Sequence, residues 1–429
     1  KGVDVAKQQF QTLRGMYDFL PEQAEAYDHV ISAFRSVAKA AGYGRLETPL
    51  LEDTALFERG VGTDTDAVSK EMYAFNDRSD HSVALRPEFT AGIVRSFIEH
   101  GMNSLPQPVK LYMYGPLFRY DRPQAGRQRQ FNQLDLEVIG EASPSVDAQV
   151  ITLAQRFFRK IRLGNLSLQL NSIGDAACRP KYKKVLTEYL EANVKKLAPV
   201  DRERIAKNPL RVLDSKEPAT KAVLADAPQT LNYLCEACQQ HFSGVLEYLD
   251  DLGMPYELNP LLVRGLDYYT RTVFEFYGER EGAQSSLGGG GRYDALVEML
   301  GGHPTPAVGF ALGVERILLE MEAAGIVQGG PDQKRVYVAS LGEPARLAAF
   351  RLIEQLLDGG VGAVGAVDRD GIGSQLARAD KLGVPYAVII GQKEVREETV
   401  ILRDMGSGAQ EILPLGQVVA ELRSRFGVQ

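Results

Sequence analysis

Four arginines and one acid crowd into eleven residues of this chain: Arg119, Asp121, Arg122, Arg127 and Arg129, in RYDRPQAGRQR. Guanidinium groups match phosphate oxygens in geometry and keep their charge, so such a cluster suits a polyphosphate. The text on either side reads as strand, KLYMYGPLF before it and QFNQLDLEVIG after it. In the second stretch Gln133, Asp135 and Glu137 alternate with Leu134, Leu136 and Val138, which puts polar groups on one face and apolar groups on the other. One face meets a core and the other a polar ligand. A carboxylate-lined strand beside an arginine loop fits a triphosphate next to a small cationic molecule.

Four further segments carry candidate chemistry. LVRGLDYYTRTVFEF, 262–276, offers a cation at Arg264, then Tyr268 and Tyr269, whose phenols can hydrogen-bond while their rings wall a flat ligand. ALRPEFTAG, 84–92, sets Glu88 and Thr90 two residues apart, on one side of an extended chain. SLGGGGRYDALVEMLGG, 286–302, has four successive glycines but lacks the Lys-Ser/Thr that follows a phosphate-binding loop, so close backbone approach is the better reading. AVGFALGVERILLE, 307–320, reads as a strand and then a helix with Arg316 in its first turn. A cation there opposes the helix dipole, a cost that makes sense if an anion binds beside it.

These segments resemble one family. FRYDRPQAGRQRQFNQLDLEVIG resembles motif 2 of class II aminoacyl-tRNA synthetases in the form carried by histidyl-tRNA synthetases, and LVRGLDYYTRTVFEF resembles the histidyl signature peptide. ALRPEFTAG is similar to the RPExT motif, with Phe89 where many relatives have a small residue. The glycine run is similar to the second histidyl signature, AVGFALGVERILLE to motif 3, and GIGSQLARADKLG to the C-terminal anticodon-binding domain of the histidyl, glycyl, threonyl and prolyl enzymes. The resemblance implies attachment of L-histidine to tRNA(His) in two steps, through histidyl-adenylate, with ATP and Mg²⁺. It implies Arg264 and Arg119 as catalytic cations on the α-phosphate. Glu88, Thr90 and Gln133 would hold the α-ammonium group, and Glu137 and Tyr269, with Tyr268 beside them, the imidazole. Asp121, Arg127, Arg129, Phe131 and Arg316 would join Arg119 around ATP, and Arg122 and Gln124 would meet the tRNA acceptor end. Two rival readings share these motifs: the non-catalytic regulatory subunit of ATP phosphoribosyltransferase, which lacks the C-terminal domain, and another synthetase such as the glycyl or prolyl enzyme.

Bulk properties set bounds. At 429 residues the chain holds two or three domains. A net charge of −7 argues against indiscriminate coating of nucleic acid, while leaving room for local basic contacts. Apolar runs fall short of a membrane span and the first residues lack a signal-peptide core, so a cytoplasmic protein is expected. Three cysteines agree with a reducing compartment. Cys235 and Cys238 form a C-x-x-C with His241 close behind and Cys178 as the one other thiol. Buried helical cysteines are the expectation there, since one such pair is a weak metal signal.

Positioning elements follow from periodicity. Apolar residues recur at helical spacing from Glu22 to Ala41, between Pro21 and Gly42, and an extended segment, Arg45 to Leu51, contains Pro49, which belongs at an edge or bulge. Helix then proline-broken strand resembles motif 1, which implies a homodimer. The overall expectation is an α+β protein. An antiparallel-sheet catalytic domain of class II type is expected over 1–175 and 256–326, with a helical insertion at 176–255. VQGGPDQKR has linker composition, and an α/β anticodon-binding domain should occupy 331–429. That last domain carries 12 basic and 13 acidic side chains, so a nucleic-acid role is not visible in its charge.

Overall fold

The structure is a computed structural model that describes residues 10–63, 65–280, 285–326, 335–365 and 371–428. Most of the expected linker lies outside the described residues, as do the last two residues of AVGAV, 363–367, a segment that reads as strand in the sequence. The chain divides into two compact units, 1–326 and 327–429. Among the described residues no helix is long and apolar enough to cross a membrane.

The first unit opens with α1, Pro21–Ala40, which starts on a proline suited to a first helical turn and buries Val30, Ile31, Phe34 and Val37. The single strand expected at 45–51 is instead two short ones, β1 (Gly44–Arg45) and β2 (Leu51–Asp53), in different sheets. Pro49 lies between them, where no ladder needs its missing N–H. Next come α2 (Thr54–Val61), α3 (Asp66–Ser69), β3 (Tyr73–Asn76), β4 (Ser82–Leu85) and α4 (Thr90–Glu99). The arginine loop joins the long strands β5 (Val109–Phe118) and β6 (Gln130–Ile139), paired over their whole length from Val109↔Ile139 to Phe118↔Gln130.

Helix α5 (Pro144–Lys160) and β7 (Ser167–Ser172) lead to a helical stretch: α6 (Arg179–Ala192), α7 (Pro199–Lys207), α8 (Pro218–Leu224) and α9 (Glu236–Asp251), with 3₁₀ turns between. Tyr182, Leu186, Leu190, Ile205, Val212 and Leu224 give this stretch a core of its own. Helix α9 packs elsewhere, sending Phe242, Val245 and Leu249 into the main core with α5. The unit ends with β8 (Glu257–Leu258), β9 (Thr270–Tyr277), β10 (Ser286–Arg292), α10 (Leu296–Met299), β11 (Ala307–Gly313) and α11 (Val314–Ala323).

Eight strands form the main sheet in the order β1-β5-β6-β11-β10-β9-β7-β8; the inner six are antiparallel, and the two-residue strands β1 and β8 pair parallel at the edges. Apolar side chains of one face, including Leu134, Leu136 and Val138, pack under α1, α5 and α9. Burying side chains of this size stabilises by about 1.5–3 kcal/mol each. A polar knot pins that layer. Arg292 and Asp147 form a fully buried ion pair, and His241 Nε2 lies 2.8 Å from Asp147 Oδ2. His241 is thereby drawn to α5 and away from the two cysteines that precede it.

The second unit is an α/β sheet: β12 (Arg335–Ser340), α12 (Glu343–Asp358), β13 (Gly362–Gly365), α13 (Ile372–Lys381), β14 (Tyr386–Ile390), α14 (Gln392–Glu397), β15 (Thr399–Asp404), β16 (Gln410–Pro414) and α15 (Val418–Phe426). Its order is β13-β12-β14-β15-β16, parallel across the first three and antiparallel beyond. Gln375 on α13 clamps the backbone of Ser340 with both ends of its amide, closing the helix onto the sheet.

Candidate active site

The second face of the main sheet opens into a cavity of about 730 Å³, within the range of small-ligand sites. Its floor is set by glycines. Gly309 on β11 stands opposite Glu137 on β6, and a methyl group there would overlap the Glu137 carboxylate. Gly289 lies likewise beneath the Arg264 guanidinium. The glycine run thus works as a thin strand that admits large polar side chains above it.

Three buried carboxyls gather at the inner end: Glu88, Asp135 and Glu137. Glu88 and Thr90 do not sit on an extended strand as expected. The chain turns into α4 at this point, and the Glu88 carboxylate accepts from the Thr90 and Ala91 amides at 2.8 Å each. A glutamate just ahead of a helix satisfies its free N–H groups. Thr90, at the first helical position, donates its hydroxyl to Glu137 Oε1 over 2.8 Å. Tyr293 donates to Glu137 Oε2 at 2.6 Å. Asp135 Oδ1 accepts no hydrogen bond among the described residues. Burial raises the affinity of Asp135 and Glu137 for protons, and the nearby carboxyl charges add to it.

The sequence from Val263 to Tyr277 reads as strand throughout, but regular pairing begins only at Thr270. Consecutive side chains on a strand face opposite ways. Off the strand, Tyr268 and Tyr269 place their rings side by side, centroids 4.7 Å apart, and both line the cavity. Tyr268 donates to Glu88 Oε2 at 3.4 Å. Arg264 lies over the Tyr269 ring, 5.5 Å from its centroid, with Nη1 3.5 Å from Glu275 Oε1; its Nε has no hydrogen-bond partner among the described residues.

The outer end is cationic. Arg119 is held by a 2.8 Å bond from Nε to the Pro87 carbonyl and lies over Phe131. Arg316 reaches from α11 to the Gly126 carbonyl at 3.0 Å and the Ser286 carbonyl at 2.8 Å, so it ties the arginine loop to β10. Arg127 pairs with Asp121 and lies 3.5 Å from Glu71. The structure brings Arg119, Asp121, Arg127, Phe131, Gln133, Arg264 and Arg316 to the cavity wall. It does not bring Arg129 there. That guanidinium stacks on Tyr120, 3.7 Å from the ring centroid, and donates to the Asp121 carbonyl. Arg122 and Gln124 are exposed on the loop, where a backbone bridge between Gln124 and Arg127 closes its turn.

Sequence reasoning missed several lining groups. Tyr293 follows the glycine run directly, and its position after GGGGR is the signal that would have placed it. Asp135 was assigned to the polar face of β6 without a role. Arg204, Arg211, Lys216 and Lys221 enter the cavity wall from the helical stretch, and no local pattern announces that.

The fold and this bipolar cavity are those of a class II aminoacyl-tRNA synthetase. A family model described as histidyl-tRNA synthetase matches residues 15–317, and one described as anticodon binding domain matches residues 335–425. A histidine–tRNA ligase of Pelotomaculum thermopropionicum is 46% identical over 417 residues, covering 96% of this chain and 97% of that protein. One from Nocardia farcinica is 45% identical over 421 residues, covering 97% and 99%. The apo crystal structure of the S. aureus histidyl-tRNA synthetase superposes with a TM-score of 0.81 at 34% identity, covering 97% of this chain and all of that one. The chain belongs to the histidyl-tRNA synthetase family.

Proposed function

We propose that this protein attaches L-histidine to tRNA(His), first activating the amino acid with ATP. The observation that carries this reading is the bipolar cavity: three buried carboxyls at one end, four arginines (Arg119, Arg127, Arg264 and Arg316) beyond them, and two tyrosine rings between. An amino acid with a cationic ammonium group and a polar ring fits the first end, and a triphosphate fits the second.

In the first step a histidine carboxylate oxygen bonds to the α-phosphorus of ATP while the bond to the bridging β-phosphate oxygen breaks, releasing pyrophosphate. In the second, a ribose hydroxyl at the tRNA 3′ end attacks the histidyl carbonyl and AMP leaves. We assign Glu88, Thr90 and Gln133 to the ammonium group and Glu137 and Tyr269 to the imidazole, with Tyr293 holding Glu137 and Tyr268 holding Glu88. An ammonium group brought beside Glu88 and Asp135 would lower the cost of their ionisation. Arg264 and Arg119 go to the α-phosphate, where fixed cations act most strongly as charge gathers on the oxygens. Arg127 and Arg316 go to the outer phosphates and Phe131 to the adenine. The substrate is the magnesium complex of ATP. Asp121 is assigned to steering Arg127, and Arg129 to holding the loop through Tyr120.

Arg122 and Gln124 are placed at the acceptor end of tRNA, and residues 335–425 at the anticodon. A cytoplasmic homodimer is the expected form; Leu50 and Leu51, 44% and 45% exposed beside Pro49, supply apolar surface for a twofold contact. The deciding experiment is ATP–pyrophosphate exchange across the twenty amino acids. Exchange driven by histidine supports the reading, and exchange driven by another amino acid, or by none, overturns it.

A further inference from the structure

Asp175, Cys178, Cys235 and Cys238 bring their ligand atoms within 4.8 Å of one another, although sixty residues separate the two pairs. We propose that these four side chains form a structural site for a soft divalent cation, zinc, at the base of the helical stretch. Cys178 Sγ lies 3.8 Å from Cys238 Sγ and 3.6 Å from Asp175 Oδ1, and Cys235 Sγ lies 3.9 Å from the same oxygen. Tetrahedral zinc with bonds of about 2.3 Å to sulfur and about 2.0–2.2 Å to oxygen sets neighbouring ligand atoms roughly 3.5–3.8 Å apart. The three separations just given lie within about 0.1 Å of that range, and the whole set, within 4.8 Å, needs to draw in by about 1 Å at most. A disulfide needs the sulfurs at about 2.05 Å.

The surroundings suit an anionic metal centre. Three thiolates and a carboxylate on a divalent ion leave two negative charges, and two helices aim their N-termini at them. Cys178 is the N-cap of α6, Cys235 is the N-cap of α9, and Cys238 lies in the first turn of α9. Arg271 holds the second carboxylate oxygen of Asp175 at 3.3 Å, the outer contact that fixes a ligating carboxylate. His241 is excluded from the ligand set by its bond to Asp147.

The location gives the site its purpose. It joins the residues just before α6 to the start of α9, so it clamps the two ends of the helical stretch that sends Arg204, Lys216 and Lys221 to the cavity. It also abuts the histidine end. Arg271 N donates to the Gly174 carbonyl at 2.8 Å, and Arg179, next to Cys178, donates to the Tyr269 carbonyl. A bound metal would stiffen the backbone that carries Tyr269.

The test is metal analysis of the full-length protein grown with zinc and purified under reducing conditions without chelator. One zinc per chain should survive dialysis, Cys235→Ser and Asp175→Asn should lose it, and stripping the wild type should lower its thermal midpoint. Cys235 is only half-buried, so that variant is the one least prone to misfold. Cobalt(II) added to the stripped wild type supplies a readout independent of any variant, namely the thiolate-to-cobalt charge-transfer band and the visible bands of tetrahedral coordination. Negligible zinc together with an octahedral cobalt spectrum would overturn the proposal, as would a disulfide between any two of these cysteines in freshly alkylated protein.

Discussion

Tyr293 donates its phenol hydrogen to Glu137 Oε2 over 2.6 Å, deep in the floor of the cavity, while Thr90 holds the other oxygen of the same carboxylate. One residue comes from the end of the glycine strand and the other from the strand after the arginine loop. Neither side chain can turn without the other. Tyr293→Phe should therefore weaken histidine binding without touching ATP, by about 0.5–1.5 kcal/mol for one hydrogen bond and up to about 3 if the carboxylate is charged in the complex. Calorimetric titration with histidine checks it. Unchanged affinity would mean that Thr90 alone sets the carboxylate.

The buried pair Asp135 and Glu137 should make the free enzyme sensitive to alkali. Both carboxyls bind protons more tightly than usual because burial disfavours their charge. A group whose folded-state pKa is raised contributes stability that is complete below its unfolded pKa and is lost as pH rises through the folded one. The thermal midpoint of the ligand-free protein should fall as pH rises from the ordinary carboxylate range through neutrality. Glu137→Gln should flatten part of that fall, and a profile identical to wild type would contradict the assignment.

Arg264→Ala should lower the adenylation rate by about 10²–10³ while leaving histidine affinity near normal, because a fixed cation counts most while phosphate charge is rearranging. Glu275, the ion-pair partner of Arg264, keeps hydrogen bonds from Tyr277 and Ser286, so the fold should hold. Single-turnover kinetics separates the two effects. A near-normal rate with a raised Michaelis constant for histidine would make Arg264 a binding residue.

Much of this site was legible because its chemistry is local in sequence. The alternation from Gln133 to Val138 placed three polar groups on one face of β6, and the pairing of β5 with β6 follows from the lengths of the two apolar runs. The departures arise where distant segments meet. Glu88 and Thr90 look extended locally, yet Glu88 is recruited by the free amides of α4, a role spacing does not reveal. Tyr268 and Tyr269 look like strand residues, and they leave the strand because both rings are needed on one side. Arg129 has the same local setting as Arg127, and their different partners separate their fates: Tyr120 and the Asp121 carbonyl for Arg129, the Asp121 and Glu71 carboxylates for Arg127. Four ligand atoms drawn from 175–178 and 235–238 meet where the first residues of α6 and α9 converge, so their set could not be read from one C-x-x-C pair.

The knot of Asp147, Arg292 and His241 yields a prediction about stability rather than activity. Burial by itself would raise the Asp147 pKa, but the hydrogen bond from His241 and the charge of Arg292 overcome it and hold the carboxyl below the usual range. A depressed pKa contributes stability that is present above the unfolded value and is lost as pH falls through the folded one. Acid should therefore loosen the layer of α1, α5 and α9 first. Asp147→Asn would leave the fully buried Arg292 with Asp294 as its one remaining charge partner among the described residues, at a cost of up to about 3–5 kcal/mol. Urea unfolding at neutral and acidic pH measures both effects, and the gap between variant and wild type should shrink in acid. A variant as stable as wild type at neutral pH would show that Asp294 and the Glu141 carbonyl, which also bind Arg292, suffice for its charge.

Removing everything after Gly330 should separate the two half-reactions. All the proposed ligands for ATP and histidine lie in the first unit, which has its own cores on both faces of its sheet. The second unit has a core of its own around Val336, Leu352 and Val388, so neither unit needs the other to bury its apolar side chains. Histidine-dependent pyrophosphate exchange should survive the truncation, once circular dichroism shows that the shortened protein is folded. Charging of tRNA should fall strongly, because base contacts at the anticodon and phosphate contacts around it would be lost together. Raising the salt should then matter less for what charging remains, since fewer phosphates are engaged. Equal loss of both activities would assign the second unit to support of the first, and full charging would place tRNA selection in the first unit, at Arg122, Gln124 and the cations of the helical stretch.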